Sequence, residues 1–490
     1  MTALASTHVS VDDAVQALAF IGDLSMGRPT DHSLRTARLA MQLAAADGGG
    51  ESEARTAHAV ALLRWSGCTA NAVGFDQLFG DDVAGRDAML SMTLPPAAGR
   101  ADAITPLAEI HCEVSGDIAA QLGMEAAVET GLRRIFETWD GRGGPAGLAA
   151  QEVPSVVYHV ALASDLEILS RAHGLPSALS LIGRLADAKY PAHLVSIVAE
   201  TAAAWLGRLE AEEETEEEAE EETVARAASG MDASRAIPLE LIADVSDLKL
   251  PWLAGQSRQV AECARTAAAL LGLGMDAQTL LQRAGLLHSI GRAALPNHLW
   301  ERPGRLSMSD RERIQLMPYW TYRAAGIIKG LGSEAELASY AYERLDGSGY
   351  YRNLRGQALS MEHRILAAAV ALIALRSRRP WRPAYPADEA AHLLRADADK
   401  GRFDPAAVDA AIAALAGGRA PAAARSTPLL SAREAEVLQR VSLGESNKEV
   451  ARSLDISPST VRTHIESVFR KLGCSTRAAA TLKAFTLGLL

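Results

Sequence analysis

The stretch AYERLDGSGYY, residues 341–351, predicts a tight turn that occurs twice in the chain. Residues 137–148, ETWDGRGGPAGL, repeat its glutamate, aspartate and glycines 206 positions earlier (343 minus 137, and 346 minus 140). Glycine adopts backbone conformations that other residues avoid, and aspartate readily bonds to nearby backbone N–H groups. Both stretches are therefore expected to shape a turn in the same way.

Segments further upstream are also repeated, at a different spacing. ALLRWSGC, from Ala61, matches AGLLHSIGR, from Ala284, and the segment from Asp31 matches the segment from Gly255. Here the spacing is 224 (288 minus 64, and 256 minus 32), which leaves about 18 extra residues (224 minus 206) in the first copy. An internal duplication explains both spacings. The chain is therefore predicted to contain two copies of one helical domain.

The composition favours an all-α protein. Of the 490 residues, 48% are hydrophobic and only 5% are aromatic, and alanine and leucine fill long windows with few alternating β-branched residues. No run of eighteen apolar residues occurs, and the first twenty residues lack the apolar core of a signal peptide. We therefore expect a cytoplasmic protein that has no membrane partner.

Charge and backbone-breaking residues mark the expected domain boundaries. Residues 210–222 contain ten glutamates, which repel one another, so residues 210–235 are predicted to form an acidic linker. Glycines and prolines then interrupt helical periodicity and predict a second linker at 416–427. The predicted domains are the two tandem copies, residues 1–209 and 236–415, and a small C-terminal domain, residues 428–490.

The C-terminal domain has the pattern of short helices joined by tight turns. Ser431 with Glu434 three residues later forms a capping-box pattern, and Ser457 followed by Pro458 predicts another helix start. Apolar residues recur on one face of that helix, at Val461, Ile465, Val468 and Leu472. Its opposite face carries small polar and charged side chains, which suit the major groove of DNA. The pattern predicts a helix-turn-helix.

This segment resembles LuxR-type DNA-binding domains. The resemblance rests on L-S-x-R-E-x-E-V-L, G-x-S-N-K-E-V-A, L-x-I-S-x-x-T-V-x-x-H and K-L-G, in that order. It implies that Lys448 and Thr460 hold the DNA backbone, and that Arg462 and Thr463 face the bases. The candidate DNA contacts are Asn447, Lys448, Ser457, Ser459, Thr460, Arg462, Thr463, Glu466 and Arg470.

Two features of the charge bear on this interpretation. Residues 428–490 contain nine Lys and Arg and six Asp and Glu, a net charge of plus 3 (9 minus 6) that favours nucleic acid. Glu466 departs from the family, in which a basic residue is common at that position. A carboxylate there would repel phosphate, but it can accept a hydrogen bond from a cytosine amino group.

Residues 250–412 resemble HD-GYP proteins. The resemblance rests on GLLHSIGRAALPNHLWERPGRLSMSDRERI, ERLDGSGYYRNLRGQALSMEHRIL and GRFDPAAVDAAI. It implies a helical fold related to phosphodiesterases of cyclic di-GMP. In those enzymes histidines and aspartates hold iron or manganese, and a hydroxide that bridges the metal ions attacks the phosphodiester. Of the ligand positions that the family implies, His288 alone is kept. The others hold Gln256, Ser289, Met317, Ala341, Tyr342 and Val370.

The first copy departs from the same ligand set differently. His32 and His111 fall on ligand positions, but Arg64 and Trp65 replace the histidine–aspartate pair. Arg64 would place a permanent positive charge where a dication should sit. The remaining ligand positions hold Ile135, Phe136 and Ser164, with Asp165 one residue further. No metal or other cofactor is therefore expected, and the residual candidate ligands are His32, His111, Asp165 and His288.

The sequence thus favours a DNA-binding transcriptional regulator whose non-catalytic HD-GYP-like domains sense a ligand or mediate dimerisation. The expected partners are duplex DNA and a second copy of the chain, whose two recognition helices would lie one DNA turn apart. RNA polymerase and a nucleotide ligand are further candidate partners.

Two alternatives remain open from the sequence. The first is a metal-dependent phosphohydrolase, similar to a cyclic di-GMP phosphodiesterase, that uses the residual ligands with iron or manganese. Bound metal together with turnover of a cyclic dinucleotide would distinguish it. The second is a nucleotide receptor in which Arg64, Tyr342 and Arg344 hold phosphate or stack on a base. A nucleotide that changes DNA affinity would distinguish that one.

Overall fold

The computed structural model describes residues 7–94, 100–214, 235–417 and 429–490. The chain divides into two compact units, the first of Ser10–Ala236 and the second of Ile237–Leu490 with the residues up to Val9. Most of both predicted linkers lies outside the described residues. A two-stranded sheet pairs β1, His8–Ser10, with β2, Ala236–Pro238.

The first unit is helical. Its helices are α1 Val11–Ser25, α2 His32–Ala46, α3 Glu51–Leu63, α4 Ala72–Phe79, α5 Asp82–Leu90, α6 Arg100–Leu122, α7 Ala126–Arg133, α8 Ser155–His173, α9 Leu175–Gly183 and α10 Ala192–Glu214, with a 3₁₀ turn at Ala150–Glu152. Helix α2 packs against α3 and α8, and α8 also packs against α9. On α2, the apolar stripe of Leu39, Ala40 and Leu43 is fully buried, as its helical spacing requires.

The second unit holds the second copy and the C-terminal domain. Its helices are α11 Glu240–Asp247, α12 Gln256–Leu270, α13 Met275–Leu287, α14 His298–Glu301, α15 Met308–Gln315, α16 Met317–Gly326, α17 Gly332–Ala338, α18 Met361–Arg376, α19 Ala387–Asp399, α20 Pro405–Gly417, α21 Ala432–Ser442, α22 Asn447–Leu454, α23 Pro458–Leu472 and α24 Arg477–Thr486. Short 3₁₀ turns occur at Pro251–Leu253, Ile290–Ala294 and Gly356–Ala358. The predicted all-α fold class is confirmed.

Helix positions recur between the two units at the spacings found in the sequence. The starts of α12 and α2 differ by 224 (256 minus 32), and the starts of α13 and α3 differ by the same amount (275 minus 51). The starts of α18 and α8 differ by 206 (361 minus 155). None of the helices in the described ranges combines the length and apolar character that a bilayer crossing requires.

A buried glutamate organises each of the repeated turns. Glu137 is 2% exposed, and its two carboxylate oxygens accept hydrogen bonds from backbone N–H groups of the turn at 2.7 and 3.0 Å. Glu343 is 1% exposed and accepts three such bonds, at 2.7, 3.2 and 3.2 Å. A buried carboxylate requires such donors. Each glutamate therefore binds its turn to the helical core.

The glycines and aspartates of the two turns also help to fix the conformation of the turn backbone. A Cβ atom at Gly349 would lie 2.4 Å from the backbone nitrogen of Arg344, so a larger residue would displace the chain. Asp346 accepts from the backbone N–H two residues later at 2.9 Å, and Asp140 does the same in the first unit at 3.0 Å. The turn motif is therefore accounted for by backbone packing, without any metal.

Replacement of Glu343 tests this role. In Glu343→Ala, three buried backbone N–H groups lose their acceptor, so the free energy of unfolding of the second unit should fall by about 3 kcal/mol. Scanning calorimetry of the full chain should show a lower-temperature transition. The matched control, Glu336→Ala, removes an exposed glutamate and should leave the transition unchanged. Equal behaviour of the two variants would contradict the structural role.

Candidate functional site

Helix α23 forms the exposed helix of the predicted helix-turn-helix. It begins after Ser457, whose Oγ accepts a hydrogen bond from the Thr460 backbone N–H at 3.0 Å, and it ends at Gly473 in a left-handed conformation. Val461 and Val468 on its inner face are at most 1% exposed. The apolar stripe predicted from the sequence therefore anchors the helix and turns its polar face outward.

The polar face of α23 carries most of the candidate DNA contacts. Ser459, Thr460, Arg462, Thr463, Glu466 and Arg470 are all exposed. Arg462 donates from Nε to Glu466 Oε1 at 2.8 Å, and their side chains are 76% and 60% exposed. The Glu466 carboxylate is thus paired by a cation one helical turn away, which reduces its repulsion of phosphate.

The candidates on α22 differ from one another. Lys448 is exposed and free to approach a phosphate, whereas Asn447 is partly buried. The Asn447 Oδ1 accepts a hydrogen bond from Arg477 at 2.6 Å, which links the start of α22 to α24. Ser446 caps α22 in a capping box with Glu449. Asn447 therefore already has a structural hydrogen bond in the absence of DNA.

Glu434 joins α21 to α23. Its carboxylate accepts from the Lys471 ammonium at 2.6 Å, from the Ser467 hydroxyl at 2.7 Å and from the Ser431 backbone N–H at 2.7 Å. The hydrogen bond from Lys471 contributes most to lowering the Glu434 pKa from 4.5 to about 2. The capping-box glutamate predicted from the sequence thus also fixes the exposed helix.

The lowered pKa predicts how Glu434 affects stability with pH. Because the carboxylate is stabilised in the folded state, its contribution is fully present above pH 4.5 and is lost as the pH falls toward 2. At pH 7, Glu434→Gln should cost about 2 kcal/mol, and the difference from the wild type should vanish near pH 2. Urea unfolding, followed by deuterium pulse labelling of peptides from residues 429–490, measures this difference.

The control for Glu434 is Glu436→Gln. Glu436 is 53% exposed and pairs only with Arg433, at 2.7 Å. Its replacement should change stability little at any pH. A pH-independent difference between Glu434→Gln and the wild type would show that the carboxylate is not responsible.

In the second unit, the ligand positions implied by HD-GYP proteins are packed into the core. Met317 is fully buried in an apolar cluster with Leu295, Leu299 and Ile314. His288 donates from Nδ1 to the Gly285 carbonyl at 2.7 Å, and its Nε2 is buried without a hydrogen-bond partner. Burial lowers the His288 pKa to about 3, so the imidazole is neutral. A single imidazole beside apolar side chains does not provide a dinuclear site.

In the first unit, the two residual histidines have separate partners. Glu167 is kept ionised by His32 and neighbouring arginines, which lower its pKa despite burial, and His32 Nδ1 donates to it at 2.5 Å. His111 donates from Nε2 to the Arg64 carbonyl at 2.7 Å. Burial lowers the His111 pKa to about 3, so this imidazole is also neutral.

Asp165 does not complete a metal site with these histidines. Its carboxylate accepts from Lys189 at 2.6 Å and from the Tyr190 hydroxyl at 3.2 Å. Within the described parts of the chain, no group of three or more histidine, cysteine, aspartate or glutamate side chains is placed to hold a metal ion. Together with Arg64 and Met317 at ligand positions, this arrangement does not fit the iron or manganese centre of HD-GYP proteins.

Comparison with known families identifies both kinds of domain. Residues 240–407 match the family model of the HD domain, and residues 428–484 match that of bacterial regulatory proteins of the luxR family. The chain contains an HD domain and a LuxR-family regulatory domain.

Individual relatives match different parts of the chain. The 3'3'-cGAMP-specific phosphodiesterase 3 of Vibrio cholerae is 23% identical over 403 residues, which cover 76% of this chain and 87% of that protein. The 3'3'-cGAMP-specific phosphodiesterase 1 of the same organism is 34% identical over 34% of this chain and 39% of that protein. The probable transcriptional regulatory protein NarL of Mycobacterium tuberculosis is 46% identical over 16% of this chain and 37% of that protein.

A solved structure shows the same fold. The crystal structure of a cyclic GMP-AMP specific phosphodiesterase of V. cholerae, V-cGAP3, aligns with a TM-score of 0.58 and 21% identity. The alignment covers 84% of this chain and 99% of that one.

Within the second unit, the HD domain contacts the LuxR-family domain. Arg378, which follows α18, donates to Glu449 of α22 at 3.0 Å. A Cβ atom at Gly255 would lie 2.9 Å from the Phe485 ring of α24, and the Arg258 guanidinium lies 5.8 Å from the centroid of that ring. The contact involves α22 and α24 and leaves the polar face of α23 exposed. The HD domain therefore holds the LuxR-family domain without covering its candidate base contacts.

Sequence reasoning missed two buried aspartates. Asp23 accepts from the Ser33 backbone N–H at 3.0 Å, and Asp247 accepts from the Ser257 backbone N–H at 2.9 Å. The two pairs recur at the spacing of 224 (247 minus 23, and 257 minus 33). Burial raises both aspartate pKa values to about 7. The repeated serine after His32 and Gln256 was the available sequence signal, but the acceptors lie ten residues before it.

Proposed function

We propose that this protein is a cytoplasmic, DNA-binding transcriptional regulator whose HD-type domains are not catalytic and act as a sensor or dimerisation module. The observation that carries the proposal is the exposed polar face of α23 in a LuxR-family domain, with Thr460, Arg462 and Thr463 presented to solvent. Small polar and basic side chains on such a helix can reach base edges in the major groove.

Tandem duplication is the second part of the proposal. The aspartate–serine pair, the glutamate-clamped turn and the helix starts recur at the spacings of 224 and 206 found in the sequence. Alignment of V-cGAP3 over 84% of the chain supports an HD-type fold in both units. The non-catalytic interpretation rests on Arg64 and Met317, which place a cation and a buried thioether at former ligand positions.

A homodimer on a two-fold DNA site is the third part. Leu487, which directly follows α24, is 57% exposed, and such an apolar side chain can pack against a second copy. Two recognition helices would then lie about 34 Å apart, one turn of DNA. RNA polymerase is a further candidate partner at the promoter. A nucleotide is a candidate ligand, because the named HD-type relatives are cyclic-dinucleotide phosphodiesterases.

DNA binding is tested with operators selected from a random duplex library by the full chain. Lys448→Ala should weaken binding to all selected sequences alike, since it removes a phosphate contact. The slope of the logarithm of the binding constant against the logarithm of the salt concentration should become smaller in magnitude by about one. Arg462→Ala should cost about 1–3 kcal/mol and relax specificity at one base pair, since it removes a base contact. Affinity measurements across a salt series separate the two effects.

Arg395→Ala is the control for these variants. Arg395 is exposed on α19 of the HD domain and pairs with Asp409 at 2.9 Å. Its replacement removes the same charge from a helix that the proposal does not place on DNA. If all three variants weakened binding equally, general electrostatics would explain the effect. If the wild type selected no sequence at all, the regulator proposal would be wrong.

The non-catalytic assignment predicts the metal content of the purified protein. Untagged protein prepared without chelators should contain far less than one iron or manganese per chain, because the residues at the ligand positions do not converge on an ion. It should also not hydrolyse cyclic di-GMP or cyclic GMP-AMP. Elemental analysis measures the first and chromatography of the nucleotides the second. Near-stoichiometric metal that is lost in His32→Ala or His288→Ala would establish the phosphohydrolase alternative.

A further inference from the structure

The first unit contains a cavity of about 400 Å³ beside the degenerate site. Its walls are mostly apolar and aromatic, and they include Trp65, Phe75 and Phe136. The Trp65 and Phe136 rings lie 6.4 Å apart, in the apolar cluster that also holds Met26 and Cys68. A volume of this size, with an apolar lining and few polar groups, is typical of a small-molecule site.

Arg64 and Arg86 are the arginines of this lining whose Nε is buried without a hydrogen-bond partner among the described residues, and Arg64 is the one of the two that has no ion pair there. Its side chain is 3% exposed, and its Nη1 donates to the Val160 carbonyl at 3.1 Å. Its Nε is buried and has no hydrogen-bond partner among the described residues, and the guanidinium lies 4.4 Å from the centroid of the Trp65 ring. Leaving a buried donor unpaired costs free energy unless something else accepts from it. The Arg64 Nε–H group can therefore donate a hydrogen bond to an acceptor on a bound ligand.

The other charged side chains of the lining are already compensated. Lys189 is paired with Asp165 at 2.6 Å. Arg86 donates to the Cys68 carbonyl at 2.8 Å and also lies 3.6 Å from Asp82. The Glu137 carboxylate accepts hydrogen bonds from backbone N–H groups of its own turn. Among the described residues, no carboxylate forms an ion pair with Arg64. The Asp165 carboxylate acts on Arg64 from a distance, but its hydrogen bonds go to Lys189 and Tyr190, so the guanidinium has no carboxylate in direct contact.

We propose that this cavity binds a monoanionic ligand with an apolar or aromatic body, whose carboxylate or sulfonate pairs with Arg64 while its body packs against Trp65 and Phe136. Hydrogen bonds from a guanidinium to such an oxyanion supply the missing acceptor. Burial lowers the Arg64 pKa to about 10, so the guanidinium is charged at neutral pH. His111, which also lines the cavity, is neutral and leaves the charge balance unchanged.

This inference rests on the proposed role of the HD-type domains as sensors and names the chemistry that they would sense. It assigns a ligand to Arg64 where the catalytic family would need a metal ligand. A doubly charged nucleotide would leave one negative charge without a partner in this cavity. A ligand with one anionic group would match the single positive charge of Arg64.

Anilinonaphthalene sulfonate, an aromatic monoanion that fluoresces in apolar sites, is the first probe. The full chain should bind one equivalent saturably, and decanoate should displace it whereas decanol should not. This comparison uses the wild type alone, so it does not depend on a variant's folding. Failure of the dye to bind, or equal displacement by decanoate and decanol, would overturn the proposal. Displacement by cyclic di-GMP but not by decanoate would overturn it in favour of a nucleotide.

Arg64→Met then tests the charge. The dissociation constant for anilinonaphthalene sulfonate should rise about tenfold or more, because a charge-assisted hydrogen bond is lost. The neutral analogue N-phenylnaphthylamine should bind the variant and the wild type equally well. Arg184→Met, which removes an exposed arginine of the same unit, should change neither affinity.

The thermal midpoint separates this role from a structural one. Without ligand, Arg64→Met should melt at the same or a higher temperature, because a buried charge is removed. A lower midpoint together with unchanged dye affinity would show that Arg64 is structural and would overturn the proposal. None of these measurements involves DNA, so failure of the cavity proposal and failure of DNA binding would be recognised separately.

Discussion

The fold of each of the two units depends on a buried glutamate that binds the backbone of its own turn. Glu343 accepts three backbone N–H groups at 2.7–3.2 Å, and Glu137 accepts two. A carboxyl group that is at most 2% exposed is costly to bury unless its oxygens have hydrogen-bond donors around them. Each turn joins the helix that precedes it to the helix that follows it. The following helix is α8 in the first unit and α18 in the second. The glutamate of the motif therefore helps to position these helices.

The residues found at the ligand positions implied by HD-GYP proteins are compatible with this fold, because they pack into the helical core or against neighbouring side chains. In each unit a buried aspartate links two successive helices: Asp23 of α1 accepts a hydrogen bond from Ser33 of α2, and Asp247 of α11 accepts one from Ser257 of α12. The former ligand positions hold side chains that fill the core, such as Met317, or that stack on a neighbour, such as Arg64 on Trp65. One helical fold can thus accommodate different side chains at these positions.

The LuxR-family domain combines a hydrogen-bonded interior with an exposed polar face. Glu434 joins α21 to α23 through Lys471, while Arg462 and Glu466 pair on the surface, where ion pairs contribute little to stability. The HD domain reaches the same domain through Arg378 and the Gly255–Phe485 contact. Any change in the HD domain that moved these residues would alter the position of α22 and α24.

The helical class, the repeated spacings and the helix-turn-helix were predictable from the amino-acid sequence, because periodicity and caps such as Ser457 depend on neighbours within a few residues. The sequence also predicted that Arg64 would disfavour a metal ion at its position. The tertiary structure was needed to show that Lys189 forms an ion pair with Asp165 and that Lys471 forms one with Glu434. It was also needed to show that Arg64 forms no ion pair with a carboxylate of the described residues. These pairings join residues far apart in the chain, so they depend on how helices pack, which no local pattern encodes.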